Sequence, residues 1–218
     1  MEIINLCDNH SLVSEYMMQL RDVNTQKDRM RFRHNVHRLG QIMAFEISKM
    51  LPYREVATQT PLGVASTHAI DIRIVLSTIL RAGLALHEGM LSYFDNAENA
   101  FVSAYREYRE GSDDFDVKIE YLASPDITGK TLIISDPMLA TGRSMELAYQ
   151  ALVSRGMPAH IHVASIIATD QAIDYVRHAL PADRTTIWAC DIDHVLNAHS
   201  YIIPGLGDAG DLLYGEKL

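Results

Sequence analysis

The chain has 218 residues, of which 48% are hydrophobic and 22% are charged, and its 19 Lys and Arg residues oppose 28 Asp and Glu residues for a formal net charge of -9. This composition is typical of a folded globular protein and excludes disorder as the main state. The negative charge argues against a binder of nucleic acid or of a membrane surface, because such binding needs an excess of basic residues.

Cysteine usage and the first residues predict a reducing, cytoplasmic setting. Cys7 and Cys190 are the two cysteines, and they lack the spacing of a zinc site or of a disulfide framework. Residues 1–8 have neither the basic start nor the apolar run of a secretory signal. The sequence also has no apolar stretch of membrane-spanning length.

Residues 1–60 are predicted to form N-terminal helices. From Asn24 to Leu51, apolar residues recur at steps close to multiples of three or four, which indicates one long amphipathic helix. We expect Asn24 and Thr25 to open this helix and Pro52 to stop it. A shorter helix is predicted before it, around Leu12 to Leu20.

Residues 61–195 alternate between short apolar runs and helical patterns, which predicts an α/β core with a largely parallel sheet. The predicted strands are Arg73 to Leu80, Thr131 to Ser135, Ile161 to Ala168 and Thr185 to Cys190. The predicted helices are Ala82 to Phe94, Met145 to Arg155 and Asp170 to Leu180. Two further runs, Ala100 to Tyr108 and Phe115 to Leu122, flank a turn-rich stretch and predict a β-hairpin arm over about 100–122. No linker divides the chain, so we expect a single domain over 1–218.

One loop between a predicted strand and a predicted helix is suited to bind an anion. It reads Asp136-Pro137-Met138-Leu139-Ala140-Thr141-Gly142-Arg143-Ser144. Backbone N–H groups and the helix dipole favour a phosphate there, two hydroxyls add donors, and Gly142 allows close approach. Asp136, at the strand end, is suited to bind ribose hydroxyls or Mg²⁺. The loop lacks the Gly-Lys-Ser/Thr ending of a Walker motif, and a capped turn without a ligand has the same pattern.

Three segments resemble those of uracil phosphoribosyltransferases, in the same order along the chain. Residues 136–144 resemble that family's phosphoribosyl diphosphate loop, which usually reads DPMLATGGS, and Arg143 is the one departure. Residues 79–83 (ILRAG) resemble its diphosphate-binding segment, and residues 201–211 (YIIPGLGDAGD) resemble its uracil-binding segment. Leu20-Arg21-Asp22 and residues 60–63 (TPLG) extend the resemblance over essentially the whole chain.

The resemblance implies a phosphoribosyltransferase-type fold whose C-terminal segment, residues 196–218, binds the base. It also implies an activity in pyrimidine salvage: transfer of the 5-phosphoribosyl group from phosphoribosyl diphosphate to uracil, which gives UMP and diphosphate. Mg²⁺ is the implied cofactor, carried mainly by the diphosphate, with Asp208 as a candidate direct ligand. A homodimer or homotetramer is expected, and activation by GTP is left open.

The site residues that the resemblance implies fall into three groups. Arg81, Arg106 and Asp208 are the expected catalytic residues, although Arg109 competes with Arg106 as the second arginine that contacts diphosphate. Phosphoribosyl diphosphate is expected to contact Arg81, Arg106, Asp136, Pro137, Met138, Leu139, Ala140, Thr141, Gly142, Arg143, Ser144 and Asp208. Uracil is expected to contact Ile202, Gly207, Asp208 and Ala209. A positive φ at Arg143 would be strained, whereas a phosphate contact would explain the substitution.

Other patterns in the sequence point to functions that we consider weaker. Residues 205–210 match the dinucleotide fingerprint G-x-G-x-x-G, but we expect neither the following helix nor the later acidic residue. The histidines at 34 and 37 lie among Arg31, Arg33 and Arg38, which repel a cation, and no Cys or carboxylate joins the pair at 160 and 162 at ligand spacing. Asp191 and Asp193, at a strand end, are interpreted as solvated carboxylates. A regulator that keeps the fold and binds nucleotide or RNA, and a transferase for another base, remain the alternatives.

Overall fold

The structure of the protein is a computed structural model. It describes residues 1–108 and 115–216, with the backbone alone at 104–108 and 115–118. The strands are β1 (Glu2–Asn5), β2 (Tyr53–Thr60), β3 (Gly63–Ile70), β4 (Ile74–Leu80), β5 (Glu98–Tyr108), β6 (Phe115–Ala123), β7 (Thr131–Ser135), β8 (Met138–Leu139), β9 (His160–Thr169), β10 (Thr185–Asp193), β11 (Val195–Leu196) and β12 (Ile202–Ile203). The helices are α1 (Leu12–Arg21), α2 (Arg29–Ser48), α3 (Leu84–Leu91), α4 (Arg143–Val153), α5 (Asp170–Ala179) and α6 (Ala209–Tyr214).

A central eight-stranded sheet organises the molecule. Its order is β1-β10-β9-β7-β4-β5-β6, and β8 pairs with β9 outside this path. Every pairing in it is parallel except that of β5 with β6, which form the predicted antiparallel arm. The α/β class and the largely parallel sheet are therefore confirmed.

Helices cover both faces of the sheet. Because side chains alternate between faces along each strand, neighbouring residues of one strand pack against different helices. Ile133 packs into the cluster that contains residues of α1, α2, α3 and α6. Its neighbours Leu132 and Ile134 pack into the cluster on α4 and α5. The β7 strand is fully buried for this reason, and it reads as a continuous apolar run. Within the residues that the structure describes, no helix has both the length and the apolarity to cross a bilayer.

The N-terminal prediction was wrong in three places. The long helix begins at Arg29, because Asp28 accepts the Arg31 N–H as its N-cap, whereas Asn24 makes no side-chain cap bond. Residues 2–5 form an edge strand that is too short to show a pattern. Residues 53–70 form a separate antiparallel hairpin, β2 with β3, instead of ending the helical region at residue 60. Both faces of this hairpin are largely exposed, so its sequence lacks the alternation that marks a half-buried strand.

Candidate active site

The candidate site lies at the carboxyl edge of the sheet, where the parallel strands end side by side. Thr78 of β4 is in register with Ser135 of β7, which is in register with Ala164 of β9. Asp193, at the end of β10, is in register with Thr169 of β9. The segments that follow these strands therefore emerge at one edge, which is where open α/β sheets bind their ligands.

The predicted phosphate loop connects β7 to α4, as the sequence indicated. Its first residue, Asp136, accepts a hydrogen bond from the Met138 N–H (3.2 Å), which turns the chain away from the strand. Thr169 donates through its hydroxyl to the Ala140 carbonyl (2.7 Å), which fixes the middle of the loop to β9. The loop ends at the N-terminus of an eleven-residue helix. Its shape and its helix dipole suit an anion.

The left-handed residue of this loop is Gly142, with φ +81°, and not Arg143. An added Cβ at Gly142 would lie 2.8 Å from Tyr175 Cδ1 and 3.2 Å from the Ala172 carbonyl, so α5 also packs closely here. Arg143 is the first residue of α4 and is exposed. The strain considered for Arg143 is therefore absent, and its side chain is free to extend from the start of the helix.

The predicted diphosphate segment, residues 79–83, lies beside the start of the phosphate loop. A Cβ on Gly83 would lie 2.0 Å from Thr78 Oγ1 and 3.0 Å from the Ser135 carbonyl, so only glycine fits between the ends of β4 and β7. The peptide bond between Leu80 and Arg81 is cis. Arg81 donates to the Gly215 carbonyl (3.2 Å), and its buried Nε has no hydrogen-bond partner among the described residues.

The C-terminal segment places its glycines and its acidic residue in a tight turn before α6. Gly205 and Gly207 have φ values of +59° and +92°, and the Ile203–Pro204 bond is cis. Asp208 is exposed and caps α6 by accepting the Asp211 N–H (3.0 Å). Ile202 exposes only 4% of its surface, because its side chain packs into an apolar cluster.

This segment packs against the other two motifs. Ile202 and Ala209 belong to the same apolar cluster, and Met138, Ala140 and Ala82 pack against that cluster. Arg81 also lies 3.8 Å from the Asp211 carboxylate. The structure thus brings the three predicted motifs together around one edge of the sheet.

The dinucleotide reading of residues 205–210 fails for a different reason from the one expected. A helix does follow these glycines, but α6 has six residues and begins within the motif itself. The preceding strand, β12, pairs antiparallel with β11 and is not part of a βαβ unit. A Rossmann fingerprint needs that unit to direct a helix N-terminus at the pyrophosphate.

The second arginine proposed for diphosphate lies largely outside the described part of the chain. The backbone of Arg106 belongs to β5, opposite Val117 of β6, but its side chain is outside the description. Its competitor Arg109 lies outside the described residues altogether.

The interpretation of Asp191 and Asp193 as solvated carboxylates was wrong. Both bind Arg21 of α1: Nη2 lies 2.7 Å from Asp191 Oδ2, and Nη1 lies 2.8 Å from Asp193 Oδ2. Asp193 also accepts the Gly205 N–H (2.8 Å). Burial opposes ionisation of Asp193, but the hydrogen bonds from Arg21 and Gly205 outweigh it and lower the pKa. Sequence reasoning noted both Arg21 and Asp193, but no local pattern connects residues so far apart.

The histidine pairs have identifiable structural partners. His162 is buried, and its Nδ1 accepts a hydrogen bond from the Trp188 indole N–H (3.0 Å). Burial lowers the pKa of His162 to about 3, with His160 contributing further, so its imidazole is neutral. His34 and His37 stack on α2 with ring centroids 6.1 Å apart. Within residues 1–108 and 115–216, no three His, Cys, Asp or Glu side chains converge as a metal site.

The residues at this edge fit a Mg²⁺ ion that arrives with a diphosphate. Mg²⁺ keeps several waters and commonly binds one or two carboxylates together with substrate phosphate oxygens. Asp208 is exposed next to the diphosphate segment and offers such an oxygen. A complete cage of protein ligands is not needed for this type of binding.

Comparisons with known proteins agree with this geometry. The family model described as "Uracil phosphoribosyltransferase" matches residues 7–216. A protein of that name from Porphyromonas gingivalis is 59% identical over 218 residues, which is all of both chains, and one from Methanothermobacter thermautotrophicus is 40% identical over 189 residues, covering 85% of this chain and 84% of the other. The solved structure of the AQ2163 protein from Aquifex aeolicus superposes with a TM-score of 0.86 at 29% identity and covers 98% of each chain. The chain belongs to the uracil phosphoribosyltransferase family.

Proposed function

We propose that this protein is a pentosyltransferase of pyrimidine salvage that transfers the 5-phosphoribosyl group from phosphoribosyl diphosphate to uracil, giving UMP and diphosphate. The observation that carries the proposal is the convergence of the 136–144 loop, the 79–83 segment and the 201–211 segment at one sheet edge. Family membership over residues 7–216 supports the same activity.

The 5′-phosphate is assigned to the phosphate loop. Backbone N–H groups of residues 139–144 and the hydroxyls of Thr141 and Ser144 supply the donors, and the N-terminus of α4 adds a favourable dipole. Pro137 and Met138 shape the turn that leads into these donors. Asp136, where β7 ends, is assigned to the ribose hydroxyls, because a carboxylate at a strand end orients a sugar in this class of sheet.

The leaving diphosphate is assigned to Arg81 and Arg106. Cleavage of the glycosidic C–O bond builds positive charge on the ribose and negative charge on the diphosphate, so the reaction depends on electrostatic stabilisation and needs no covalent nucleophile. The Arg81 side chain is 40% exposed, so its forked guanidinium can donate to diphosphate oxygens. Mg²⁺, when bound, would neutralise further charge on the leaving group. Asp208 is assigned a place beside the metal and the ribosyl donor.

The base is assigned to Ile202 and to the backbone of Gly207, Asp208 and Ala209. Uracil carries two carbonyls and two N–H groups, which backbone groups can match. Cytosine presents an amine where uracil has a carbonyl, so a donor on the protein would be left without an acceptor.

The activity is tested by mixing purified protein with phosphoribosyl diphosphate, Mg²⁺ and one base at a time: uracil, cytosine, hypoxanthine or orotate. Diphosphate and nucleotide are both quantified, with and without GTP to test activation. UMP from uracil alone supports the proposal. Turnover with another base indicates a related transferase, and binding of UMP without any turnover indicates the regulator.

We also infer a cytoplasmic homodimer or homotetramer. Cys7 and Cys190 are both free thiols, which supports a reducing setting. The hairpin of β2 and β3 exposes Leu62 fully and Val64 largely, and the outer face of α2 exposes Phe45. Apolar side chains on such a projecting arm favour contact between subunits. Light scattering after size-exclusion chromatography measures the oligomeric state, and a monomer at working concentration contradicts it.

A further inference from the structure

One ion pair binds both backbone groups of Gly205. The Gly205 N–H donates to Asp193 Oδ2 (2.8 Å), and the Gly205 carbonyl accepts from Arg21 Nη1 (3.0 Å). The same Nη1 donates to Asp193 Oδ2 (2.8 Å), which closes the ring, and Nη2 adds bonds to Asp193 Oδ1 (2.9 Å) and to Asp191 (2.7 Å). Forked, charge-assisted bonds of this kind fix direction as well as distance.

The carbonyl of the next residue, Leu206, is also bound by a side chain of the N-terminal segment. Gln26 Nε2 donates to the Leu206 carbonyl (3.2 Å) and also to the Leu20 carbonyl in the last turn of α1 (2.9 Å). Gln26 lies in the turn between α1 and α2, which Asp22 stabilises by accepting the Thr25 N–H (3.0 Å). Two successive carbonyls of the C-terminal segment therefore face the N-terminal segment.

Because a peptide group is planar, the hydrogen bond to the Leu206 carbonyl also sets the direction of the Gly207 N–H. The C=O and N–H of a trans peptide point in opposite directions, and the bonds after Gly205 and Leu206 are both trans. The Leu206 carbonyl faces Gln26, so the Gly207 N–H points away from the N-terminal segment. Gly207 is exposed, and among the described residues its N–H donates to no protein acceptor. This N–H is available to a ligand.

We propose that Arg21, Asp193 and Gln26 are positioning residues for base recognition: they hold the Gly205 and Leu206 carbonyls and thereby direct the Gly207 N–H toward a carbonyl oxygen of the pyrimidine. This inference rests on the function proposed above. It gives the Leu20-Arg21-Asp22 segment a role in base selection, although that segment lies about 180 residues before the base-binding glycines in the sequence.

The main test measures kcat and the two KM values separately for Arg21→Lys, Asp193→Asn and Gln26→Ala. We expect KM for uracil to rise about tenfold or more in each variant, while KM for phosphoribosyl diphosphate changes less than about twofold. Arg177→Lys is the matched control, because Arg177 forms an exposed ion pair with Asp174 on α5 and should leave both constants unchanged. The double variant of Arg21 and Asp193 should raise KM for uracil by less than the product of the single effects, since both act through one contact.

A merely structural role gives a different result. It lowers the melting temperature, and both KM values then stay the same or change together, which overturns the proposal. Gln26→Ala keeps the test decisive if the ion-pair variants fail to fold, because it removes one neutral side chain at the surface turn.

A second measurement separates this inference from the proposed function. Binding of UMP and of ribose 5-phosphate is measured by calorimetry for each variant. Positioning predicts weaker UMP binding with unchanged ribose 5-phosphate binding, even if the wild-type protein shows no turnover with uracil. Equal loss for both ligands, or loss for neither, contradicts the inference whatever the assay of the wild-type protein shows.

Discussion

Arg81 donates a hydrogen bond to the carbonyl of Gly215 at 3.2 Å, so the residue after β4 is tied to the residue after α6. The helix α6, which begins at the end of the segment that we assign to the base, is therefore tied at its far end to the arginine that we assign to diphosphate. Because Arg81 also lies near Asp211, its guanidinium is partly oriented before any substrate binds. Preorientation of this kind reduces the loss of side-chain conformational entropy when the substrate binds.

Two substitutions of Arg81 should show how much of its effect on catalysis comes from its positive charge and how much from its forked geometry. Arg81→Lys keeps the positive charge but loses the fork, so we expect kcat/KM for phosphoribosyl diphosphate to fall about tenfold, and about a hundredfold or more for Arg81→Ala. Steady-state kinetics with saturating uracil measures this. Arg177→Ala, at an exposed pair on α5, is the control. Unchanged kinetics in both Arg81 variants would remove Arg81 from the diphosphate site.

Substitutions at Asp208 should distinguish its role as the N-cap of α6 from its proposed role in turnover. Asn accepts the Asp211 N–H as well as Asp does, so Asp208→Asn should change the free energy of unfolding by less than about 0.5 kcal/mol while turnover falls. Asp208→Ala loses the cap as well and should cost about 1 kcal/mol. Urea denaturation and turnover are measured side by side. An Asn variant with full turnover contradicts the assigned role near the metal.

Two effects disfavour a side chain at Gly142, its positive φ and its contact with α5, and a comparison with Gly129 separates them. Both glycines have positive φ, but an added Cβ meets Tyr175 at Gly142 and open space at Gly129. Gly129→Ala should cost about 1 kcal/mol from backbone strain alone, and Gly142→Ala should cost at least about 2 kcal/mol because α5 must also move. Thermal unfolding compares them. Equal costs would show that packing against α5 contributes nothing.

Arg143→Gly should alter substrate binding without altering stability. The side chain is exposed at the first position of α4, where glycine costs little, so the unfolding free energy should change by less than about 0.5 kcal/mol. KM for phosphoribosyl diphosphate should rise severalfold if the guanidinium contacts the phosphate. If neither quantity changes, the side chain only faces solvent.

His162 should make the protein acid-sensitive. Burial lowers its pKa from 6.5 to about 3, so below pH 6.5 the unfolded chain binds a proton that the folded chain does not. Its contribution is fully present above about pH 6.5 and is lost as the pH falls toward about 3, which amounts to about 2 kcal/mol between about pH 7.5 and about pH 5. His162→Asn should reduce the pH dependence by that amount in urea titrations. Identical pH dependence in both proteins would exclude His162 as the cause.

Particular elements show which features a local pattern can predict. The β7 strand was predicted with its exact bounds, because a strand that is buried on both faces reads as an uninterrupted apolar run. The position of the 136–144 loop between a strand and a helix was also predicted, because its residue types match what an anion requires of a strand-to-helix turn. The hairpin of β2 and β3 was missed, because strands exposed on both faces carry no periodic signal.

The sequence by itself determined the α/β class, the order of the motifs and the residue types that suit a phosphoribosyl transfer, since each of these depends on neighbours along the chain. Only the tertiary structure decided which distant residues meet. Arg21 and Asp193 are separated by 172 positions, and no periodicity or motif links them. Their contact arises because α1 packs beside β10 and its last residue, Arg21, lies near the end of that strand. The same packing fixes the backbone of Gly205, which precedes in sequence the glycine and its neighbours that we assign to the base.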